Sequence, residues 1–145
     1  MTRITASRVI EASQTKVWAA LADLGTHAEW MLDATSVDFI GQRTSGLGTR
    51  MAVETRIGPF RTLDVIEVVG WDEGRSIEVE HQGVVRGRGV LSVSTDGSRT
   101  VLTWEETIRF PWWLGGQLTA WLAQPVLAAV MRADLGRLGR RVASP

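Results

Sequence analysis

The chain has no cysteine, no tyrosine, a single lysine at Lys16 and only two histidines, His27 and His81, in 145 residues. Without cysteine there can be no disulfide, no thiolate metal ligand and no cysteine nucleophile, and two separated histidines leave little from which to build a zinc site. No metal and no cofactor is expected. Without tyrosine there is no phenolic general acid. Neither sign of charge is in excess, with 16 basic and 16 acidic side chains. The basic residues are scattered arginines, so the electrostatic footprint of a nucleic-acid binder is missing. Nucleotide fingerprint, phosphate loop, G-x-S-x-G elbow and nucleophile–base–orienter triad are absent too, leaving a covalent mechanism without support. The first residues, MTRITASRVIEAS, hold no apolar signal core, which makes the cytoplasm the expected location.

Charge is also missing between Arg109 and Arg132. An uncharged run of about twenty residues has the length of a membrane span. Three features oppose that reading: Gln117, Thr119 and Gln124 recur within it, Gly115, Gly116 and Pro125 interrupt it, and no basic cluster precedes it. Its continuation is amphipathic, with Leu127, Met131, Leu135, Leu138 and Val142 near helical spacing and Arg132, Arg137, Arg140 and Arg141 on other faces. The stretch Pro111 to Val142 is therefore expected to be the principal, buried helix, with no transmembrane segment.

Before it the pattern is that of a sheet. Ile4 to Glu11 reads as a strand, and Ser13 offers an N-cap to a short helix carrying Val17, Leu21 and Leu24, with Gly25 as its stop. A second short helix, THAEWMLD, follows. After Asp33 the chain alternates through six strands, TSVDFIGQ, GTRMAVETRI, FRTLDVIEVVGWD, RSIEVEHQ, VVRGRGVLSVST and SRTVLTWEETIRF. Turn signals at Ser45-Gly46, Gly58-Pro59, Glu73-Gly74, Gln82-Gly83 and Asp96-Gly97 separate them, the mark of an antiparallel meander. The length suits one domain, residues 1–145.

With this element order in hand, Ala12-Ser13 followed by Val17-Trp18, Leu21 and Asp23, Trp30 on the second helix, Gly48, Gly89, Trp104 after Asp96-Gly97, and the Leu135/Leu138 helix end form a recognisable set. The chain resembles the helix-grip superfamily of the birch-pollen allergen, lipid-transfer START domains and bacterial polyketide cyclase/dehydrase-like proteins. The resemblance implies an α+β fold in which a seven-stranded antiparallel sheet curls round a long C-terminal helix, with two short helices between strands 1 and 2. It does not choose among binders, carriers and enzymes, all of which use this scaffold.

Period-two phasing selects the inward side chains. In the last strand Leu102, Trp104, Glu106, Ile108 and Phe110 share one face. A two-residue Asp96-Gly97 turn would set Gly89 across from Trp104 and Gly87 across from Glu106. A three-residue loop with a bulge after Gln82 keeps Glu78 and Glu80 out of the interior and sends Ile77, Val79 and His81 in. The fourth strand resists phasing, because Ile66 and Val68 compete evenly with Val65, Val69 and Trp71.

These choices predict a cavity of at least about 300 Å³ between sheet and C-terminal helix. Its ligand-binding candidates are Met51, Val53, Ile77, His81, Leu91, Trp104, Glu106, Trp113, Leu118 and Trp121. The helical tryptophans either fill the core or roof the cavity, with Gly115-Gly116 thinning the helix and Pro125 kinking it. His81 and Glu106 are the candidate acid/base groups, or else structural residues. The leading expectation is a binder or carrier of a small hydrophobic molecule. The alternatives are a cyclase, aromatase or dehydratase-like enzyme, permitted by the resemblance, and a membrane-surface or protein-interaction module using Phe110 to Trp121.

Overall fold

The structure, a computed structural model, describes residues 2–143; Met1, Ser144 and Pro145, which belong to the expected 1–145 domain, lie outside the described residues. Strand β1 (Thr2–Ile10) leads into helix α1 (Gln14–Ala22), a 3-10 turn (Leu24–Thr26) and the one-turn helix α2 (His27–Trp30). Strands β2 (Ala34–Ile40), β3 (Arg50–Ile57), β4 (Phe60–Asp72), β5 (Ser76–Gln82), β6 (Arg86–Asp96) and β7 (Arg99–Arg109) follow. A 3-10 turn (Trp112–Leu114) then opens into helix α3 (Gly116–Ala143). The seven strands form one open antiparallel sheet in the order β1-β7-β6-β5-β4-β3-β2, so the chain closes its meander by returning β1 beside β7. This is the helix-grip arrangement, α+β, with both short helices between the first two strands.

Local chemistry sets the ends of these elements. Ser13 caps α1, its hydroxyl accepting the Lys16 amide at 3.3 Å. The face of α1 that carries Val17, Trp18 and Leu21 is buried. Glu73 then ties α1 to the β4–β5 turn, accepting the Trp18 indole N–H at 3.0 Å and that of Trp71 at 2.6 Å. The two indoles meet edge to face with centroids 5.4 Å apart.

Period two holds along β7, where Thr100, Leu102, Trp104, Glu106 and Ile108 are all buried. The hairpin register differs from expectation by two residues. Asp96 pairs with Arg99 around Gly97-Ser98, so Gly89 lies beside Glu106 and Leu91 beside Trp104. A shift of two leaves every side chain on its expected face. Between β5 and β6 the connection is the expected three residues, with Gln82 paired to Arg86, but the pairing carries no bulge. The irregularity sits in β4 instead, between Val68 and Gly70. Ile66 and Val68 face inward before it and Trp71, paired with Ile77, faces inward after it. Neither frame alone fits β4 because the bulge exchanges them.

Helix α3 has two unlike halves. Met131, Leu135, Leu138 and Val142 are buried. Here Gly136 and Gly139 admit Arg8 and Ile10 of β1, a Cβ on Gly139 lying only 3.5 Å from Ile10 Cγ1. The first half buries Ala120 and holds to β1 by polar contacts, Gln117 Nε2 donating to Thr2 Oγ1 at 2.6 Å and Gln124 Nε2 to the Arg3 carbonyl at 3.2 Å. Leu118, Trp121 and Leu122 of this half are exposed. Gly115 and Gly116, at φ +92° and +53°, form the joint between the 3-10 turn and the helix. The backbone conformation of that joint, which only glycine adopts at low cost, explains the pair better than a need to thin the helix.

At the far end Asp134 is fully buried and bonded to Arg137, whose Nε donates to the Trp30 carbonyl at 2.9 Å. Burial, and then a hydrogen bond and charge from Asp33, push the Asp134 pKa up to about 8 against the pull of Arg137. No described helix is long and apolar enough to cross a membrane.

Candidate functional site

The concave face of β3 to β7 encloses a cavity of about 90 Å³. Its sheet wall includes Ala34, Val37, Met51, Val53, Ile66, Ile77, Val79, Leu91 and Trp104, and Leu24, His27 and Met31, which lie outside the sheet, close it. The cover is thus the segment from the 3-10 turn through α2 to Met31. No residue of α3 lines it, which corrects the expected placement between sheet and C-terminal helix. The volume is also well below the expected 300 Å³, with the bulky Met31, Met51, Ile66 and Trp104 among the lining side chains.

Of the expected ligand-binding residues, Met51, Val53, Ile77, His81, Leu91, Trp104 and Glu106 surround this cavity. Trp113, Leu118 and Trp121 do not; they are 61%, 63% and 64% exposed on the outer side of the α3 region. The reason is the seating of α3. Gln117, Ala120 and Gln124 face β1, and residues 118, 121 and 122 therefore face solvent.

One polar group interrupts the apolar wall. His81 Nε2 lies 3.1 Å and 3.3 Å from the two carboxylate oxygens of Glu106, and the Trp104 indole N–H donates to Glu106 Oε1 at 3.0 Å. The pair spans β6, and Gly89 makes that possible: a Cβ there would stand 2.6 Å from Glu106 Oε1. Asp64 of β4 approaches from the opposite side beneath Gly83, whose Cβ would fall 1.6 Å from Asp64 Oδ1. Burial raises the Asp64 pKa despite the neighbouring His81 and a hydrogen bond from the Val84 amide. Burial pulls His81 down, but the hydrogen bond and charge of Glu106, with the charge of Asp64, outweigh it and leave the imidazole pKa raised.

A second histidine lines the cavity in the opposite electrostatic condition. His27 Nε2 donates to the Leu21 carbonyl at 2.8 Å, and burial lowers its pKa in spite of that bond and of Asp23. The site therefore offers an apolar space, a neutral imidazole on the cover and a carboxylate–imidazole pair on the sheet that can donate or accept a proton. Sequence phasing missed His27, Met31, Asp64 and Ile66. The first two lie on or beside a one-turn helix too short to show a period, and the others lie on the strand whose phase the bulge exchanges.

The family model described as "polyketide cyclase / dehydrase and lipid transport" matches residues 1–143. No curated protein matches the chain in sequence. Solved structures do match in fold. A protein of Thermus thermophilus is similar over 97% of both chains, at 20% identity and a TM-score of 0.81. The Zhui aromatase/cyclase of a Streptomyces species is similar over 97% of this chain and 93% of its own, at 17% identity and a TM-score of 0.71. A truncated norcoclaurine synthase from Thalictrum flavum is similar over 99% and 94%, at 14% identity and a TM-score of 0.73. At these identities the likeness is one of fold.

Proposed function

Because the chain belongs to the polyketide cyclase/dehydrase and lipid transport family, we propose that it binds a small, mainly apolar molecule in the sheet cavity, with the molecule's polar group against His81 and Glu106. The observation that carries this reading is the hydrogen-bonded His81–Glu106 pair set into an otherwise apolar sheet wall. Ligand sites combine apolar walls with a few placed polar groups in this way.

The resting space, about 90 Å³, is smaller than the roughly 150 Å³ cavity that accepts benzene, so ligand entry displaces part of the wall. The cover is the part that yields. It consists of a 3-10 turn and a one-turn helix, which lack the cooperativity of the sheet opposite, and it presents Met31, whose flexible side chain adapts to irregular guests.

The test uses 1-naphthol, an aromatic with one hydroxyl, followed by NMR. Binding should shift His81, Met31 and Met51 together, and Glu106→Gln should weaken it by about two- to tenfold, the worth of one hydrogen bond. Shifts confined to the outer tryptophans would remove the cavity from the function. A second reading, acid/base catalysis on a polyketide-type substrate, is favoured by the same pair, since His81 and Glu106 are bonded and both reach the cavity. In that case Glu106→Gln should lower turnover of a poly-β-ketone substrate by about a hundredfold or more with little loss of binding.

A further inference from the structure

Seven of the exposed large apolar side chains lie close together in the chain. Trp112 is 87% exposed, and Trp113, Leu114, Leu118, Trp121, Leu122 and Val126 share the outer surface of the turn and the first half of α3. Pro125 and Ala129 extend this face. The helical part runs about 20 Å at 1.5 Å per residue. A helix face of this kind, uncovered by the rest of the fold, is an interaction surface.

Its charges are of one sign. From residue 107 to 133 there is no aspartate or glutamate, only Arg109 and Arg132, both exposed. Two exposed arginines stand beside this stretch: Arg3, whose carbonyl receives Gln124, and Arg86, paired in register with Arg109. None of these four arginines has an ion-pair partner among the described residues. We propose that this face docks onto a lipid bilayer containing anionic headgroups, the tryptophans and leucines entering the interfacial region and the arginines meeting the headgroup charge.

Two arguments select a bilayer over a second copy of the chain. A two-fold contact places the same patch on itself, and the stretch that carries it, residues 107–133, holds two arginines but no acidic side chain to pair with those of a second copy. The face is moreover an exposed surface of turn and helix carrying three indoles, a form suited to a fluid interface where an apolar ring and its N–H are both accommodated. Insertion stays superficial, because no described helix can cross the bilayer. The inference stands on the outer face alone and does not depend on what the cavity binds.

The experiment is co-sedimentation of the full chain with phosphatidylcholine vesicles, with and without phosphatidylglycerol, at low and high salt, alongside tryptophan fluorescence and sedimentation velocity. Expected are binding that requires the anionic lipid and weakens with salt, a blue-shifted emission, and a loss of at least about tenfold in Trp113→Ser/Trp121→Ser. Arg109→Gln/Arg132→Gln, which removes no apolar contact, should reduce binding to anionic vesicles and its salt dependence. Absence of wild-type binding to either vesicle, or equal binding by both double variants, would overturn the proposal. So would a wild-type dimer that Trp113→Ser/Trp121→Ser converts to a monomer, since a second copy would then be the occupant.

Discussion

His27 and His81 line one cavity and carry opposite shifts, which makes them a test of the electrostatics there. Both start from an ordinary value of 6.5, His27 lowered and His81 raised. For His81 the folded state holds the proton more tightly, so its stabilisation is complete below 6.5 and is lost as pH rises through the higher folded value. For His27 the sign is reversed, and lowering the pH through 6.5 costs stability because the unfolded chain takes up the proton first. An NMR titration should show one imidazole above 6.5 and one below. In Glu106→Gln the upper one should drop, since burial persists and the largest opposing charge is gone. Two titrations that both stay below 6.5 in the wild type would refute the pair as a charged contact. Gly89→Ala probes the same pair from β6: the new Cβ would displace the Glu106 carboxylate, strand the Trp104 N–H and cost about 1–3 kcal/mol, the usual penalty of a buried unsatisfied donor. That His81 and Glu106 face inward was readable in the sequence, because alternation fixes the face of a strand residue even when its partner is misjudged by two. The solvent-facing side of Trp121 was not readable, because an apolar side chain on a helix looks the same whether it meets a core or an unpartnered surface.

Elements show the same division. The C-terminal half of α3 was legible because its apolar residues recur on one stripe with arginines elsewhere, and that stripe is what β1 and the sheet bury. In the first half leucine and tryptophan occupy one side, while the side toward β1 carries Gln117, Ala120 and Gln124, whose glutamines bind β1 through polar contacts that hydropathy does not register. Strand β4 defeated phasing for a different reason: a bulge between Val68 and Gly70 changes the inward frame midway, and no residue type announces it. Where α3 meets the α2–β2 junction, the fold keeps a buried acid. The Asp134 pKa of about 8, raised from 3.8, means that the native state retains a proton the unfolded chain releases. This stabilisation is fully present below 3.8 and is lost as pH rises through about 8, at no more than about 1.4 kcal/mol per pH unit. Asp134→Asn preserves the shape, can accept from Arg137 and cannot ionise. Its melting temperature should therefore fall less between about pH 5 and pH 8 than that of the wild type, and parallel curves for the two proteins would show that Asp134 is ionised in the native state.

For the whole molecule, the separation of cavity from outer apolar face has a consequence that can be measured in one experiment. The sheet wall is held by continuous antiparallel pairing from β1 to β2, while the cover from Leu24 to Met31 rests on a 3-10 turn and a single helical turn. Low local stability belongs to the element with the least cooperative backbone bonding. Filling the cavity should thus change hydrogen exchange mainly in residues 24–34, which include its non-sheet lining, Leu24, His27 and Met31, and leave residues 116–126 of α3 unaffected. Met31→Ala should enlarge the space and ease entry, so 1-naphthol should bind more tightly to this variant although the unliganded protein is less stable by about 2–5 kcal/mol at most, the range for emptying a methionine site. Saturating ligand should then restore part of that loss, about 2.7 kcal/mol at a hundredfold excess over Kd. Vesicles should do the converse, protecting residues 112–126 and leaving 24–34 as they were. Protection of both segments by either partner alone would mean that the cover and α3 move as one body, and that the cavity and the outer face are two parts of a single site.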